Sequence, residues 1–187
     1  MLSFLLAMGA FAAEPAPAVA SQAFVARPVL GRPVVELRGG LDQNALPQLC
    51  GEVHPLRFLS VDACGTGSGW FHDRPTTEMS HYRVEADIPL ARAGRLEAWL
   101  QPGLGFAEVQ RDGDAAGYRF GPPDVGQTEA AGPEATLSLR GRGWFHAHAY
   151  ATVELNAGVA HIPGAPQAVG SPSSTIPSAA LSIGAGL

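Results

Sequence analysis

Residues 144–159 read WFHAHAYATVELNAGV, and polar and apolar side chains alternate along them almost without interruption. Side chains of an extended strand point alternately to opposite faces, whereas a helix would scatter both sets around its circumference. The stretch therefore predicts a long β-strand with two chemically different faces. The polar face would carry His146, His148, Tyr150, Thr152, Glu154 and Asn156, and the apolar face Phe145, Ala147, Ala149, Ala151, Val153, Leu155, Ala157 and Val159.

The same alternation recurs along the chain and predicts seven strands, at residues 33–38, 55–66, 80–90, 95–110, 134–142, 144–159 and 178–187. A closed meander needs an even number of strands, so an eighth is expected at residues 24–30 or 118–120. Gly39 and Gly40 are expected to end the first strand. A change of phase near Phe58 predicts a β-bulge. A three-residue turn is predicted at residues 141–143, because a turn with an odd number of residues lets the even-numbered residues of both flanking strands face the same side.

The composition and charge indicate a folded protein and argue against a nucleic-acid partner, and the N-terminal sequence indicates export. The chain has 187 residues and a net charge of −5, and its basic residues form no cluster that phosphates would require. Residues 1–20 resemble a secretory signal peptide, with cleavage after Ala12 or Ala20. Residues 21–32 form an N-terminal segment, and residues 33–187 are the predicted β-barrel domain. Cys50 and Cys64 are expected to form a disulfide after export into an oxidising compartment.

The two-faced strands allow two architectures. A soluble sandwich or lipocalin-like barrel would turn the apolar face inward, and a membrane barrel would turn it outward. The apolar faces consist mostly of small aliphatic residues, which a lipid-facing band tolerates better than a packed core does. Short connections at residues 91–94 and 141–143 alternate with long ones at residues 65–77, 111–133 and 161–175. This alternation favours a membrane barrel.

These features resemble those of a family, the small outer-membrane β-barrels of Gram-negative bacteria such as the OmpA transmembrane domain, OmpX and OmpW. The resemblance rests on the signal peptide, the amphipathic strands from Ser80 onward, the alternation of connections, and SAALSIGAGL at residues 178–187. That last segment looks like the closing strand that the barrel-assembly machinery recognises. The resemblance implies an all-β, antiparallel up-and-down membrane barrel of about eight strands, located in the outer membrane.

The resemblance also implies partners and a role. The partners would be outer-membrane lipid and the barrel-assembly machinery, and the protein would be a monomer. Its transmembrane strands would form a porin-like but filled barrel, because an eight-stranded barrel is just wide enough for side chains to fill. We expect a structural, adhesive or interaction role through the long loops, without catalysis. A polar network is expected in the lumen, comprising Arg83, Glu85, Asp87, Glu97, Arg140, His146, His148 and Glu154.

The sequence offers two catalytic or metal-dependent alternatives. His146, His148 and Glu154 share a face and could ligate one metal ion, although one extra residue separates their spacing from the cupin signature. Lipid A deacylation by outer-membrane barrels uses a His-x-Ser element, and no histidine here stands two residues before a serine. The sequence therefore predicts no catalytic residue, cofactor or metal. The remaining alternative is a secreted or periplasmic soluble β-protein that binds a small ligand or metal.

Overall fold

The computed structural model describes residues 34–66, 77–111, 118–121 and 126–187. The predicted signal peptide and the candidate strand at residues 24–30 lie outside the described residues. The described chain forms nine strands and one short helix: β1 Val34–Asp42, β2 Pro47–Leu56, β3 Leu59–Gly65, β4 Glu78–Ala86, β5 Ile88–Ala93, β6 Leu96–Gln110, β7 Glu129–His146, β8 Ala149–His161, α1 Ala165–Val169 and β9 Thr175–Gly186.

The strands close into an antiparallel barrel with eight strand positions. Neighbours pair in up-and-down order from β1 to β4 and from β6 to β9, while β1 pairs with β9 and β4 pairs with β6. The short strand β5 is extra, because it continues the line of β4 along the first part of β6. The predicted all-β, up-and-down barrel of about eight strands is confirmed.

Pro102 lies inside β6, opposite the break between β4 and β5. Its ring leaves no N–H for a ladder, and on this side of β6 the strand pairing stops at Leu100 and resumes at Gly103. The backbone N–H of Asp87, within the break, donates instead to the carbonyl of Phe58 at 2.9 Å. The strand therefore continues through the proline while the neighbouring strand divides.

Tight turns and long connections lie at opposite ends of the barrel. The turns at residues 57–58, 94–95 and 147–148 share one end with the last residue of the chain, and we call it the turn end. At the opposite end, which we call the loop end, lie the strand ends that the other connections join, at residues 43–46, 66–77, 111–128 and 162–174. The up-and-down order thus produces the predicted alternation of short and long connections.

Burial in the barrel is inverted relative to a soluble protein. Large apolar side chains face outward, and Leu104 and Ile183 are 70% and 67% exposed. The largest fully buried side chains include Arg38 and Arg140. A soluble sandwich or lipocalin-like barrel has the opposite arrangement, whereas a transmembrane barrel has an apolar exterior and a polar interior.

The first strand does not end at its glycine pair, contrary to prediction. β1 continues to Asp42, and both glycines pair with residues of β2 and β9. A Cβ atom on Gly40 would lie 2.2 Å from the carbonyl oxygen of Leu181. Glycine is therefore needed here for the close approach of β1 and β9 rather than for a turn.

The missing eighth strand is β2, most of which lies between the predicted strands at residues 33–38 and 55–66. Residues 118–120 contribute only an isolated bridge between Phe120 and Ala131. The phase change near Phe58 is the turn between β2 and β3 and not the predicted bulge. Prolines at positions 47 and 55 and glycine at 51 weaken the strand signal of β2 in the sequence.

The predicted turn at residues 141–143 is also wrong. These residues lie within β7, which begins at Glu129 and reaches His146 before the chain turns at residues 147–148. A register shift between Trp144 and His146 adds one residue to β7 at this turn. A two-residue turn alone would make odd-numbered residues of one strand face the same side as even-numbered residues of the other. The extra residue of the bulge cancels this change, so even-numbered residues face inward on both strands and the sequence shows no break at the turn.

An apolar cluster of described residues lies at the loop end of the barrel. The helix α1 belongs to the connection between β8 and β9, and its residues Ala165 and Val169 pack with Met79, Val109 and Ile162. Ile162 and Ala165 are completely buried. No helix in the described part of the chain is long and apolar enough to cross a bilayer.

Candidate functional site

Alternate residues of the strands line a lumen of charged and polar side chains. Even-numbered residues point inward in β7 and β8, and odd-numbered residues do so in β4 and β6, as their alternating burial shows. Six of the residues expected in the lumen are buried there: Arg83, Glu85, Asp87, Glu97, Arg140 and Glu154.

His146 and His148 do not reach the lumen, which corrects the prediction for both. His146 ends β7 and His148 lies in the following turn, so both side chains are exposed at the turn end. Glu154, by contrast, is buried inside the barrel. The structure therefore does not bring these three candidate metal ligands together.

Arg38 lies in the middle of the lumen and contacts carboxylates from three strands. Its Nη1 donates to Glu36 Oε1 at 2.8 Å and also bonds Glu52, and its Nη2 donates to Asp62 Oδ1 at 2.8 Å. The guanidinium is completely buried. A buried ion of this kind is tolerated only when paired and hydrogen-bonded, and these contacts supply that pairing.

Arg140 binds carboxylates that approach from two other strands. Its Nε donates to Glu154 Oε2 at 2.7 Å, and its Nη1 donates to Glu52 Oε1 at 2.6 Å. Glu52 therefore bridges Arg140 and Arg38, since it bonds both guanidinium groups. The two arginines and their carboxylates form one continuous ion network across the barrel, which we call the central network.

A second group of polar contacts lies on the loop-end side of the central network. Glu134 accepts hydrogen bonds from Arg83 Nε at 3.2 Å and Ser178 Oγ at 3.3 Å, and it lies 2.9 Å from His81 Nδ1. The predicted disulfide between Cys50 and Cys64 is present at the same level, where it joins directly opposed residues of β2 and β3.

His54 connects the central network to the turn end. Its Nδ1 lies 3.0 Å from Asp87 Oδ2, and its Nε2 lies 2.9 Å from Glu52 Oε1. Arg142 Nη2 lies 3.1 Å from the same Nε2. The imidazole thus has polar neighbours at both nitrogens.

Arg142 and aromatic side chains occupy the lumen next to the turn end. The Arg142 guanidinium lies 5.5 Å from the ring centre of Trp99 and 5.1 Å from that of Tyr150. Trp144 packs on Tyr150 with ring centres 4.6 Å apart. Cation–π and aromatic contacts therefore hold these side chains together at this end of the lumen.

Among the described residues, two groups of side chains have ligand atoms close enough for a metal. Glu52, His54 and Asp87 form one, and Cys50, Asp62 and Cys64 form the other. The disulfide removes both thiolates from the second group. In the first group a metal would displace the carboxylate contacts of His54 and face the Arg142 cation, so the geometry favours a hydrogen-bonded ion network.

The hydroxyl of Ser60 does not form a nucleophile–base pair with His54. Ser60 Oγ donates to Asp87 Oδ1 at 3.5 Å, while His54 contacts the other oxygen of the same carboxylate. A hydrolytic triad requires the histidine to lie between the hydroxyl and the carboxylate. The order here is different, and the carboxylate lies in the middle.

Several lumen residues escape the sequence prediction, chiefly because β2 is not recognised from its pattern. Glu52 and His54 are missed with that strand, and Asp62 receives no face because the pattern indicates a bulge at residues 57–58 rather than a turn. Their signal is nevertheless present, since Gln48, Cys50, Glu52 and His54 alternate with Leu49, Gly51, Val53 and Pro55.

Closure, apolar exterior and charged interior together define a β-barrel of the membrane type. Among solved structures, the fold is similar to that of Neisserial surface protein A, an outer-membrane barrel of eight strands. The TM-score is 0.53 at 7% sequence identity, and the match covers 83% of this chain and 93% of that chain. Identity this low establishes similarity of fold. No protein-family model and no curated protein matches the sequence.

Proposed function

We propose that this protein is a small outer-membrane β-barrel with a structural, adhesive or interaction role and no catalytic activity. The observation that carries the proposal is the outward apolar surface of a closed barrel whose buried side chains are charged. Such a surface is stable in lipid and unfavourable in water. The similarity of fold to Neisserial surface protein A supports the same location.

Aromatic side chains at the loop end support a membrane interface there. Tyr82 and Phe106 face outward with ring centres 5.6 Å apart, and Tyr118 from the β6–β7 connection packs edge-on against both rings. Burial raises the pKa of the Tyr118 hydroxyl. Aromatic girdles of this kind mark the boundary between the apolar band and water in transmembrane barrels.

Fractionation and gel mobility test the proposed location. We expect the protein in the outer-membrane fraction and, in detergent, a folded band that migrates differently from the boiled band. A protein that stays soluble and monomeric without detergent would refute the proposal. Depletion of the barrel-assembly machinery should reduce the intensity of the folded band. The mass of the mature protein should show that the signal peptide is cleaved after Ala12 or Ala20.

We also propose that the lumen is filled and has no open conductance. Three observations support this: Arg38 and Arg140 are buried in its middle, the α1 cluster packs at the loop end, and Trp99, Arg142 and Tyr150 contact one another at the turn end. Single molecules in planar bilayers should therefore show no stable conductance steps. Regular steps from purified, folded protein would contradict a filled lumen.

The loop end is the proposed interaction surface, because the long connections gather there. An epitope inserted within residues 170–173, in the exposed part of the β8–β9 connection, tests its orientation. Antibody should label intact cells carrying this insertion. Cells in which the same epitope replaces residues 147–148 at the turn end should be labelled only after permeabilisation. The reverse pattern would refute the assignment.

A further inference from the structure

The lumen of the described chain contains more acidic than basic side chains. The inward carboxylates are Glu36, Glu52, Asp62, Glu85, Asp87, Glu97, Glu134 and Glu154, and the buried guanidinium groups belong to Arg38, Arg83, Arg140 and Arg142. His54 and His81 contact carboxylates, and Arg92 lies 3.7 Å from Glu97, but the carboxylates still outnumber the cations by one even when both histidines are protonated. A buried excess of negative charge is unfavourable unless a counter-charge is supplied.

Glu85 is a carboxylate that the arginines leave without a hydrogen bond. Its side chain is completely buried, and neither Oε1 nor Oε2 has a hydrogen-bond partner among the described residues. Arg140 Nη2 lies 3.9 Å from Oε2, and that nitrogen already bonds Glu154. The two oxygens of Glu85 are therefore in different surroundings, because Oε2 faces Arg140.

The other oxygen, Oε1, lies close to Gly103, at a position where a side chain would not fit. Glu85, Gly103 and Thr136 are opposed in register on β4, β6 and β7. The point that a Cβ atom on Gly103 would occupy lies 3.3 Å from Glu85 Oε1 and 2.5 Å from Thr136 Oγ1. Thr136 Oγ1 also lacks a hydrogen-bond partner within the part of the chain that the structure describes. Two unpartnered oxygens thus lie close to Gly103, where a larger residue would not fit.

Gln101, the preceding inward residue of β6, contributes a third such oxygen to this region. Its Nε2 donates to Asp87 Oδ1 at 2.5 Å, while its Oε1 has no hydrogen-bond partner in the described chain. The three groups are a carboxylate, a hydroxyl and an amide oxygen. Oxygen donors of this type suit hard cations rather than transition metals.

We propose that the lumen binds a hard monovalent cation of the size of sodium beside Glu85 Oε1, with Thr136 Oγ1 as a second ligand. Glu85 shares the Arg140 cation with Glu52 and Glu154 and has no cation of its own among the described residues, which matches a single positive charge. Calcium takes six to eight oxygen ligands, and the nearby carboxylates Glu52, Asp62 and Glu154 are already bonded to Arg38 and Arg140.

Cation-dependent stability of the folded barrel in detergent tests this site. The temperature at which half of the protein loses its folded gel mobility is measured in sodium chloride and in N-methyl-D-glucamine chloride at equal ionic strength. Equal ionic strength keeps the screening of surface charges the same, and the organic cation is too large for the site. Ligand binding to the folded state should raise the midpoint in sodium by about 3 °C or more.

Three isosteric variants identify the ligands. Glu85→Gln should abolish the difference between the two salts, and Thr136→Val should reduce it. Glu134→Gln is the matched control, because Glu134 is an equally buried carboxylate with partners of its own. It should lower the midpoint in both salts and keep the difference between them. Thr136→Val provides the test if Glu85→Gln fails to refold.

Two results would overturn the site. If Glu85→Gln keeps the sodium response of the wild type, the cation binds elsewhere. If the wild type does not distinguish the two salts and Glu85→Gln is the more stable protein, Glu85 carries a proton instead of a cation.

Discussion

Arg140 is the side chain on which the central network depends most directly, because it bonds both Glu52 and Glu154. Arg140→Met should lower the free energy of unfolding by roughly 3–5 kcal/mol, since it removes the guanidinium that buried Glu52 and Glu154 both bond. Urea titration of the barrel in lipid vesicles measures the loss.

Arg92→Ala is the control for this substitution. The Arg92 side chain is 45% exposed and lies 3.7 Å from Glu97, and an exposed pair contributes about 0–1 kcal/mol. Similar losses for Arg92→Ala and Arg140→Met would mean that burial of the central network does not determine its contribution.

Two adjacent glycines of β1 provide a second test at the level of single residues. A Cβ atom on Gly40 would overlap the backbone of β9, whereas one on Gly39 would meet no atom of the described residues within 4 Å. Gly40→Ala should lower the free energy of unfolding by about 1–3 kcal/mol through overpacking. Gly39→Ala should change it by no more than about 0.5 kcal/mol. The same urea titration compares them, and equal effects would show that β1 and β9 can separate without cost.

At the residue scale, the alternation of inward and outward residues along a strand predicts which side chains enter the lumen, but it does not predict which residues they contact. The inward positions of Arg140 and Glu154 follow from the local alternation of a single hairpin. Their partner Glu52 is 88 residues away from Arg140, so local periodicity carries no information about that pairing. The sequence pattern places His146 inward because the bulge keeps the alternation of polar and apolar residues unbroken through the turn, so the turn cannot be recognised from the sequence.

The hairpin of β2 and β3 is joined by the disulfide between Cys50 and Cys64, which are directly opposed in its register. The bridge closes a loop of 14 residues in sequence separation, worth about 3 kcal/mol in the chain-entropy model. Replacement of both cysteines by alanine should therefore lower the midpoint of urea unfolding while the barrel still folds, because the ladders of β2 to β1 and of β3 to β4 remain.

Thiol labelling after treatment with reductant gives a complementary measurement. Both cysteines face the lumen and are less than a tenth exposed, so reduction should be slow in the folded barrel and fast in urea. Equal rates of labelling in the two conditions would contradict a disulfide enclosed by the barrel.

At the element scale, strands with clean alternation can be predicted, and strands interrupted by proline or glycine cannot. β4 and β6 are recognisable because their apolar positions are filled by bulky residues such as Val84 and Leu104. β2 is missed because Pro55 and Gly51 occupy outward positions where an apolar side chain is expected. A lipid-facing position tolerates these residues, so a membrane barrel can contain strands that a hydrophobic pattern does not detect.

At the scale of the whole molecule, the class of fold follows from period two and from the alternation of short and long connections. Closure cannot be derived in the same way. It depends on the pairing of β1 with β9, which joins the two ends of the described chain and is expressed in no local pattern. The choice of outward face rests on the small apolar residues, and the exposed side chains of the barrel agree with it.

That choice of face leads to a prediction that separates lipid from water as the surroundings of the barrel. Leu155 is 57% exposed and lies at the middle of β8, beside Glu154 of the central network, while His161 ends the same strand at the loop end. Leu155→Arg should destabilise the barrel in phospholipid vesicles by about 2–4 kcal/mol, and His161→Arg by about 0–1 kcal/mol, because the cost of a lipid-facing charge depends on depth. Urea unfolding in vesicles measures both. In water, arginine at position 155 would replace an exposed apolar side chain and leave the stability unchanged within about 0.5 kcal/mol. Equal stability of the two variants in vesicles would therefore show that residue 155 does not face the hydrocarbon core.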